Sequence, residues 1–181
     1  MGKSIIETKN KVRQALVTQV TAGTGITVDS TPSKGVFVTK FTVPSTAQAV
    51  ASAALAFGKL LGTFPKCSIF IHAVGLDITY VADGACTVQA DIGVGTLIGS
   101  GAQTVLSGVG ATAEDCLDGQ TATAFNGTTG VNYEIAKVGE VDIKDGTTTA
   151  KSLYLNFAGN WATTVGLTYS GVVTVIWSKL Q

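Results

Sequence analysis

His72 is the only histidine among the 181 residues, so it is the one side chain suited to proton transfer near neutral pH. It sits between Ile71 and Ala73 in an alternating apolar run, on the pleat face opposite Ile71. A structural, hydrogen-bonded role fits that position better than catalysis. Cys67, Cys86 and Cys116 could join it around zinc, but their spacing lacks the short chelating pairs that zinc sites use. Cys67 and Cys86 read as buried thiols. Glu114, Asp115 and Asp118 form the densest acidic group, with Asp142 and Asp145 a second. Such carboxylates can hold calcium, yet the alternating ligand spacing of a calcium-binding helix–loop–helix is missing, and a solvated acidic loop is expected. Gly93-Val94-Gly95 begins a dinucleotide-type pattern, but Ile98 stands where its third glycine belongs. Ser100 and Ser107 lie among glycines without the nucleophile elbow. No catalytic residue, cofactor or metal ligand is expected from these positions, and the chain is read as a non-enzyme.

The elements around these residues are strands. Phe37, Phe41 and Val43 share one face against Lys40 and Thr42. Ile69 and Ile71 precede Gly75, and Leu76, Ile78 and Tyr80 alternate with Asp77 and Thr79. Ala82-Asp83-Gly84-Ala85 predicts a hairpin turn, with Thr87–Ile92 returning as the partner strand and Gly93 to Gly101 forming a loop. Leu153, Leu155 and Phe157 alternate with Tyr154, Asn156 and Ala158. Val172-Val173-Thr174-Val175-Ile176-Trp177 is apolar on both faces, which predicts a strand covered on both sides. One helix is expected: Ser45-Thr46-Ala47-Gln48 reads as a capping box, an alanine-rich run follows to Phe57, and Gly58 closes it. The fold expected is all-β, a single jelly-roll-like β-sandwich over residues 35–181. It carries one short connecting helix and an extended N-terminal arm over residues 1–34.

Composition narrows the function. The chain is 45% hydrophobic and 13% charged, with 22 glycines. An ordinary soluble domain has about 25% charged residues. Little of this surface is kept apart by repulsion, which favours assembly. The net charge is zero but divided: residues 1–76 hold eight cations against two acids, and residues 77–145 ten acids against two lysines. Head-to-tail contact between copies can use such a division. Lys3, Lys9, Lys11 and Arg13 make the arm basic, and they are the candidate interface residues, reaching over an acidic neighbour. A single arginine and 7% aromatics argue against direct nucleic-acid binding. No secretory signal and no apolar run long enough to span a membrane is present, so synthesis in a reducing cytoplasm is expected.

The stretch Leu61–Val74, led by Phe64-Pro65, resembles a pattern in small structural proteins of tailed bacteriophages. There a Pro-led apolar strand is followed by an Asp/Thr-rich strand, a glycine hairpin and a return strand ending in Asp-Ile-Gly. Asp77-Ile78-Thr79, Ala82–Ala85 and Asp91-Ile92-Gly93 occupy those places here, and Gly171–Trp177 is similar as well. The resemblance covers about half the chain. It implies a virion role as a capsid decoration, or cement, subunit. That subunit self-associates as a homotrimer and binds the major capsid protein lattice on the capsid surface. Val17–Val28 also looks like glycine- and threonine-rich pieces of tail fibres, which implies an alternative: a tail-fibre or head-fibre module binding a host receptor or glycan through loop aromatics such as Tyr133 and Trp161.

Overall fold

A computed structural model describes residues 20–51, 53–86, 90–121, 127–135, 142–161 and 165–180. Among the described residues, eleven strands form two antiparallel sheets packed face to face as a β-sandwich. The first sheet combines β1 (Thr21–Ala22), β4 (Ala54–Thr63), β10 (Ser152–Asn160), β6 (Asp91–Gly95) and β7 (Leu117–Thr121), in the order β1-β4-β10-β6-β7. The second combines β2 (Thr27–Ser33), β3 (Val36–Val50), β11 (Val165–Lys179), β5 (Ile69–Cys86) and β8 (Gly127–Ile135), in the order β2-β3-β11-β5-β8. A sixth strand of this sheet, β9 (Asp142–Lys144), pairs with the start of β5.

The expected alternation sets the core. Phe37, Phe41, Val43, Val173, Val175 and Trp177 point inward from the second sheet, and Leu153, Leu155 and Phe157 meet them from the first. Trp177 stacks on Phe37 with ring centroids 4.5 Å apart and takes the edge of Phe64 at 5.0 Å. Phe157 stacks on Phe57 at 4.9 Å. The Trp177 indole N–H donates to Thr39 Oγ1 at 2.9 Å, and Thr39 shares a further hydrogen bond with Ser30. Three strands thereby satisfy their buried polar groups within the core.

Three local expectations are corrected by the structure. The connecting helix over Ser45–Phe57 does not form. Val36–Val50 is one strand and Ala54–Thr63 the next, because β11 and β10 supply ladders that outweigh alanine's helical preference. Pro44 lies inside β3 although it lacks an N–H. The register slips between Tyr169 and Gly171, so the ladder passes Pro44 and Ser45 as a bulge. Gly171 (φ +150°) lies so near the Asp77 carbonyl that a Cβ would collide with it. The Asp83-Gly84 hairpin is absent as well: β5 runs on to Cys86, and β6 sits in the other sheet, taking Gly93 and Gly95 into strand. Finally, β11 is covered on one face only. Val172, Thr174 and Ile176 remain partly exposed on the other.

The arm expectation divides at Val20. Thr21–Ala22 pairs with β4 and Thr27–Ser33 with β3, so this stretch belongs to the two sheets. Residues 1–19 lie outside the described residues.

Tyr169, packed at 4.8 Å against Phe157, is almost fully buried, and burial pushes its phenol up to about 12. A raised pKa means that the folded state holds this proton more tightly than the unfolded chain does. Its contribution is complete below pH ~10, the ordinary tyrosine value, and is lost as pH rises through about 12. A spectrophotometric alkaline titration of the wild type against Tyr169→Phe should show one phenol ionising near that upper value.

Candidate interaction surfaces

The acidic group at Glu114–Asp118 binds the chain to itself. Asp115 accepts the backbone N–H and the hydroxyl of Thr96, both at 2.8 Å, and the Lys144 ammonium at 2.7 Å. Lys144 also donates to the Asp115 carbonyl at 3.0 Å. Asp115 precedes β7, the outer strand of one sheet, and Lys144 ends β9 on the other, so this largely buried ion pair closes one edge of the sandwich. Glu114 accepts the Gly119 N–H at 2.7 Å. In the second acidic group, Asp145 sits in an exposed turn. The Thr147 backbone N–H, its hydroxyl and Ser68 lower its pKa below the ordinary carboxylate value. The Asp142 side chain lies outside the described part. Among the described residues no three His, Cys, Asp or Glu side chains gather where they could hold a metal ion.

His72 is the extra residue of a bulge, since Ile71 pairs with Trp177 and Ala73 with Ile176. Its Nε2 shares a 3.0 Å hydrogen bond with the Ser178 hydroxyl, and its ring lies 4.5 Å from that of Phe70. This is the hydrogen-bonded strand histidine expected from the sequence. Cys67, expected as a buried thiol, is only partly buried against the core, as is Cys116, whose thiol donates to Asp115 Oδ1 at 3.6 Å. The Cys86 side chain lies outside the described part. Trp161, the loop aromatic considered for glycan contact, is buried and donates its indole N–H to the Leu55 carbonyl at 3.1 Å. The Tyr133 side chain lies outside the described part. So do Lys3, Lys9, Lys11 and Arg13, the candidate interface residues.

The structure builds an outer layer from a stretch that begins within the expected Gly93 to Gly101 loop. Segment 96–116, with 3-10 turns at Leu106–Gly108 and Ala111–Ala113, lies across the outer face of the first sheet. Leu106 seats there between Ala56 and Ala158, forming a second small core. Asn156, fully buried in the middle of β10, hooks the segment down. Its Oδ1 accepts the Gly99 N–H at 2.8 Å, and its Nδ2 donates to the carbonyls of Leu97 at 2.9 Å and Ala113 at 2.7 Å. Asp91 accepts the Leu106 N–H at 2.7 Å. Glycines keep the approach close: a Cβ at Gly58 would strike the Asn156 amide, and one at Gly95 the backbone at Ala113. A lone asparagine inside the Leu153–Phe157 alternation was the available sequence signal for this hook.

The pinned segment nevertheless presents apolar side chains to solvent. Leu97 is 42%, Ile98 41% and Val105 47% exposed, and no charged residue occurs from Leu97 to Gly110. A second apolar patch lies at one end of the outer face of the other sheet, beyond the exposed Lys40, Thr42 and Asp77. Its registers align Val36, Ser178, Phe70 and Ile143 in one rank and Val38, Ile176 and Ala73 in the next, with Ile143 57% exposed. Among the described residues no helix is long and apolar enough to cross a membrane. Compared with known proteins, the chain matches no family model, and no curated protein or solved structure is significantly similar to it. Fold and surfaces together define a β-sandwich with an apolar patch on each outer face and one outer layer fastened by Asn156 and Asp91.

Proposed function

We propose that this chain is a virion structural protein of the tailed-phage decoration type, a capsid cement subunit that self-associates and binds the major capsid protein lattice. The observation that supports it most is the apolar rank on the outer face of the second sheet, Val36, Phe70 and Ile143 beside Val38 and Ile176. Flat apolar strand faces suit a partner that is itself a repeated, rigid surface. Each contact need contribute only a few kcal/mol, because an oligomer on a lattice engages several at once and gains avidity. The basic residues Lys3, Lys9, Lys11 and Arg13 would supply reach across a neighbour. The jelly-roll-like character of such subunits and a trimeric state belong to this proposal.

Co-sedimentation with shells of the virus that encodes the chain tests it. Wild-type protein should saturate the shells. Ile143→Asp combined with Phe70→Asp should weaken binding at least about tenfold, the effect of about 1.4 kcal/mol. Deleting residues 1–19 should lower shell occupancy. Wild-type protein that stays in the supernatant would overturn the proposal. Full occupancy by the truncated chain would remove the arm from it.

A further inference from the structure

The fold gathers lysines that are far apart in sequence at one end of the sandwich. Lys34 tips the two-residue turn between β2 and β3, since Ser33 pairs with Val36. Val36 pairs with Ser178, and Lys179 with Ile69, so Lys34 and Lys179 close the same end of the second sheet. The Leu180 N–H donates to the Ser68 carbonyl at 3.0 Å, which brings the segment carrying Lys66 alongside. Lys151 joins them, its carbonyl accepting the Phe64 N–H at 2.8 Å. β1 also starts here, with Thr21 opposite Thr63, so the stretch holding Lys3, Lys9, Lys11 and Arg13 joins the fold at this pole. Lys34 holds φ +49° in a turn where asparagine or glycine is usual, a conformation costly for a residue with a β-carbon.

Many of the acids are tied into the fold instead. Asp83, Asp91, Glu114 and Asp115 each accept a backbone N–H, and Asp115 also takes Lys144. At the pole itself Asp145 is bonded to Thr147, with Lys151 nearby. Among the described residues Lys34, Lys66 and Lys179 form no ion pair. The apolar rank of Val36, Phe70 and Ile143 lies at the same end, bordered by Lys34 and Lys179. An apolar centre with a charged rim is the anatomy of a protein contact. A phosphate backbone would use the lysines and leave that rank uncovered. Nucleic-acid recognition also favours arginine, and all four of these cations are lysines.

We propose that the pole carrying Lys34, Lys66, Lys151 and Lys179, with the apolar rank beside it, docks on an acidic protein surface. Charge complementarity selects that partner, since unpaired cations rimming an apolar patch are matched by carboxylates around another. Taking the acidic surface to be the shell lattice rests on the function proposed above.

Fluorescence anisotropy of labelled poly-glutamate, titrated with the full chain, provides the test. Lys34→Asp with Lys179→Glu reverses charge at the pole, and aspartate tolerates the left-handed turn. Lys40→Glu with Lys59→Glu makes the same change in net charge away from it. Circular dichroism melting confirms that each pair remains folded, and Lys66→Glu with Lys151→Glu replaces the pole pair if it does not. Wild-type protein should bind, and less tightly as salt rises. The pole pair should weaken binding at least about tenfold, and the other pair by less than about twofold. A wild type that leaves poly-glutamate free, equal losses in the two pairs, or binding of duplex DNA or phosphatidylserine vesicles in place of poly-glutamate would each overturn the proposal. Shell co-sedimentation separates it from the function. Shells occupied in full by the pole pair would overturn the pole and leave shell binding standing. Poly-glutamate bound through the pole by a chain that ignores shells would do the reverse.

Discussion

Asp115→Ala should lower stability by about 3–5 kcal/mol, the cost of breaking a buried ion pair by removing one partner. Lys144 has its ammonium between the Asp115 carboxylate and carbonyl and is largely buried, so water cannot replace the lost oxygen without opening the edge. The Thr96 N–H and hydroxyl lose their acceptor in the same step. Urea unfolding should report the loss, and the melting temperature should fall by roughly 10 °C, at about 2–4 °C per kcal/mol for a chain of this size. Adding Lys144→Met should recover most of it, because two apolar side chains carry no buried charge. A double variant no more stable than Asp115→Ala would show that Asp115 acts through Thr96 alone.

Asn156→Ala should act locally and strongly. It strips the partner from one N–H and two carbonyls in a buried place, each costing about 1–3 kcal/mol if it stays buried. Segment 96–113 can lift away instead, so the net loss should be about 3 kcal/mol. It should appear as faster amide hydrogen exchange across 96–113 while β3 and β11 stay protected. Asn156→Asp should be worse at neutral pH, since a buried carboxylate would face the Leu97 and Ala113 carbonyls. Burial and those carbonyls raise the folded-state pKa of the new acid, so that variant should regain stability as pH falls and the carboxyl becomes a donor. Unchanged exchange in the alanine variant would mean that Leu106 and Asp91 hold the segment without the hook.

Those two variants touch the part of the molecule hardest to read from sequence. The two-sheet sandwich was legible where inward residues alternate without interruption, as in Phe37–Val43, Leu153–Phe157 and Val173–Trp177. It was illegible wherever a local preference met a distant ladder. Ala47 to Ala56 favours a helix by itself, but β11 and β10 come from more than 100 residues away to pair with it. Asp83-Gly84 favours a turn, but the Asp83 carboxylate is taken by Gly166. Asn156 reaches partners 57, 59 and 43 residues distant, so nothing near Gly99 announces that its loop is fastened. The acidic group around Asp115 displayed its charge but not its purpose, which depends on a lysine 29 residues on.

The account treats this chain as an assembling surface, and its mass in solution tests that claim most directly. Light scattering would be recorded over a range of concentrations, alone and with purified shells of the encoding virus. The account predicts a stable oligomer of the 18.4 kDa chain that leaves solution with the shells. A single chain at every concentration that ignores the shells would contradict it.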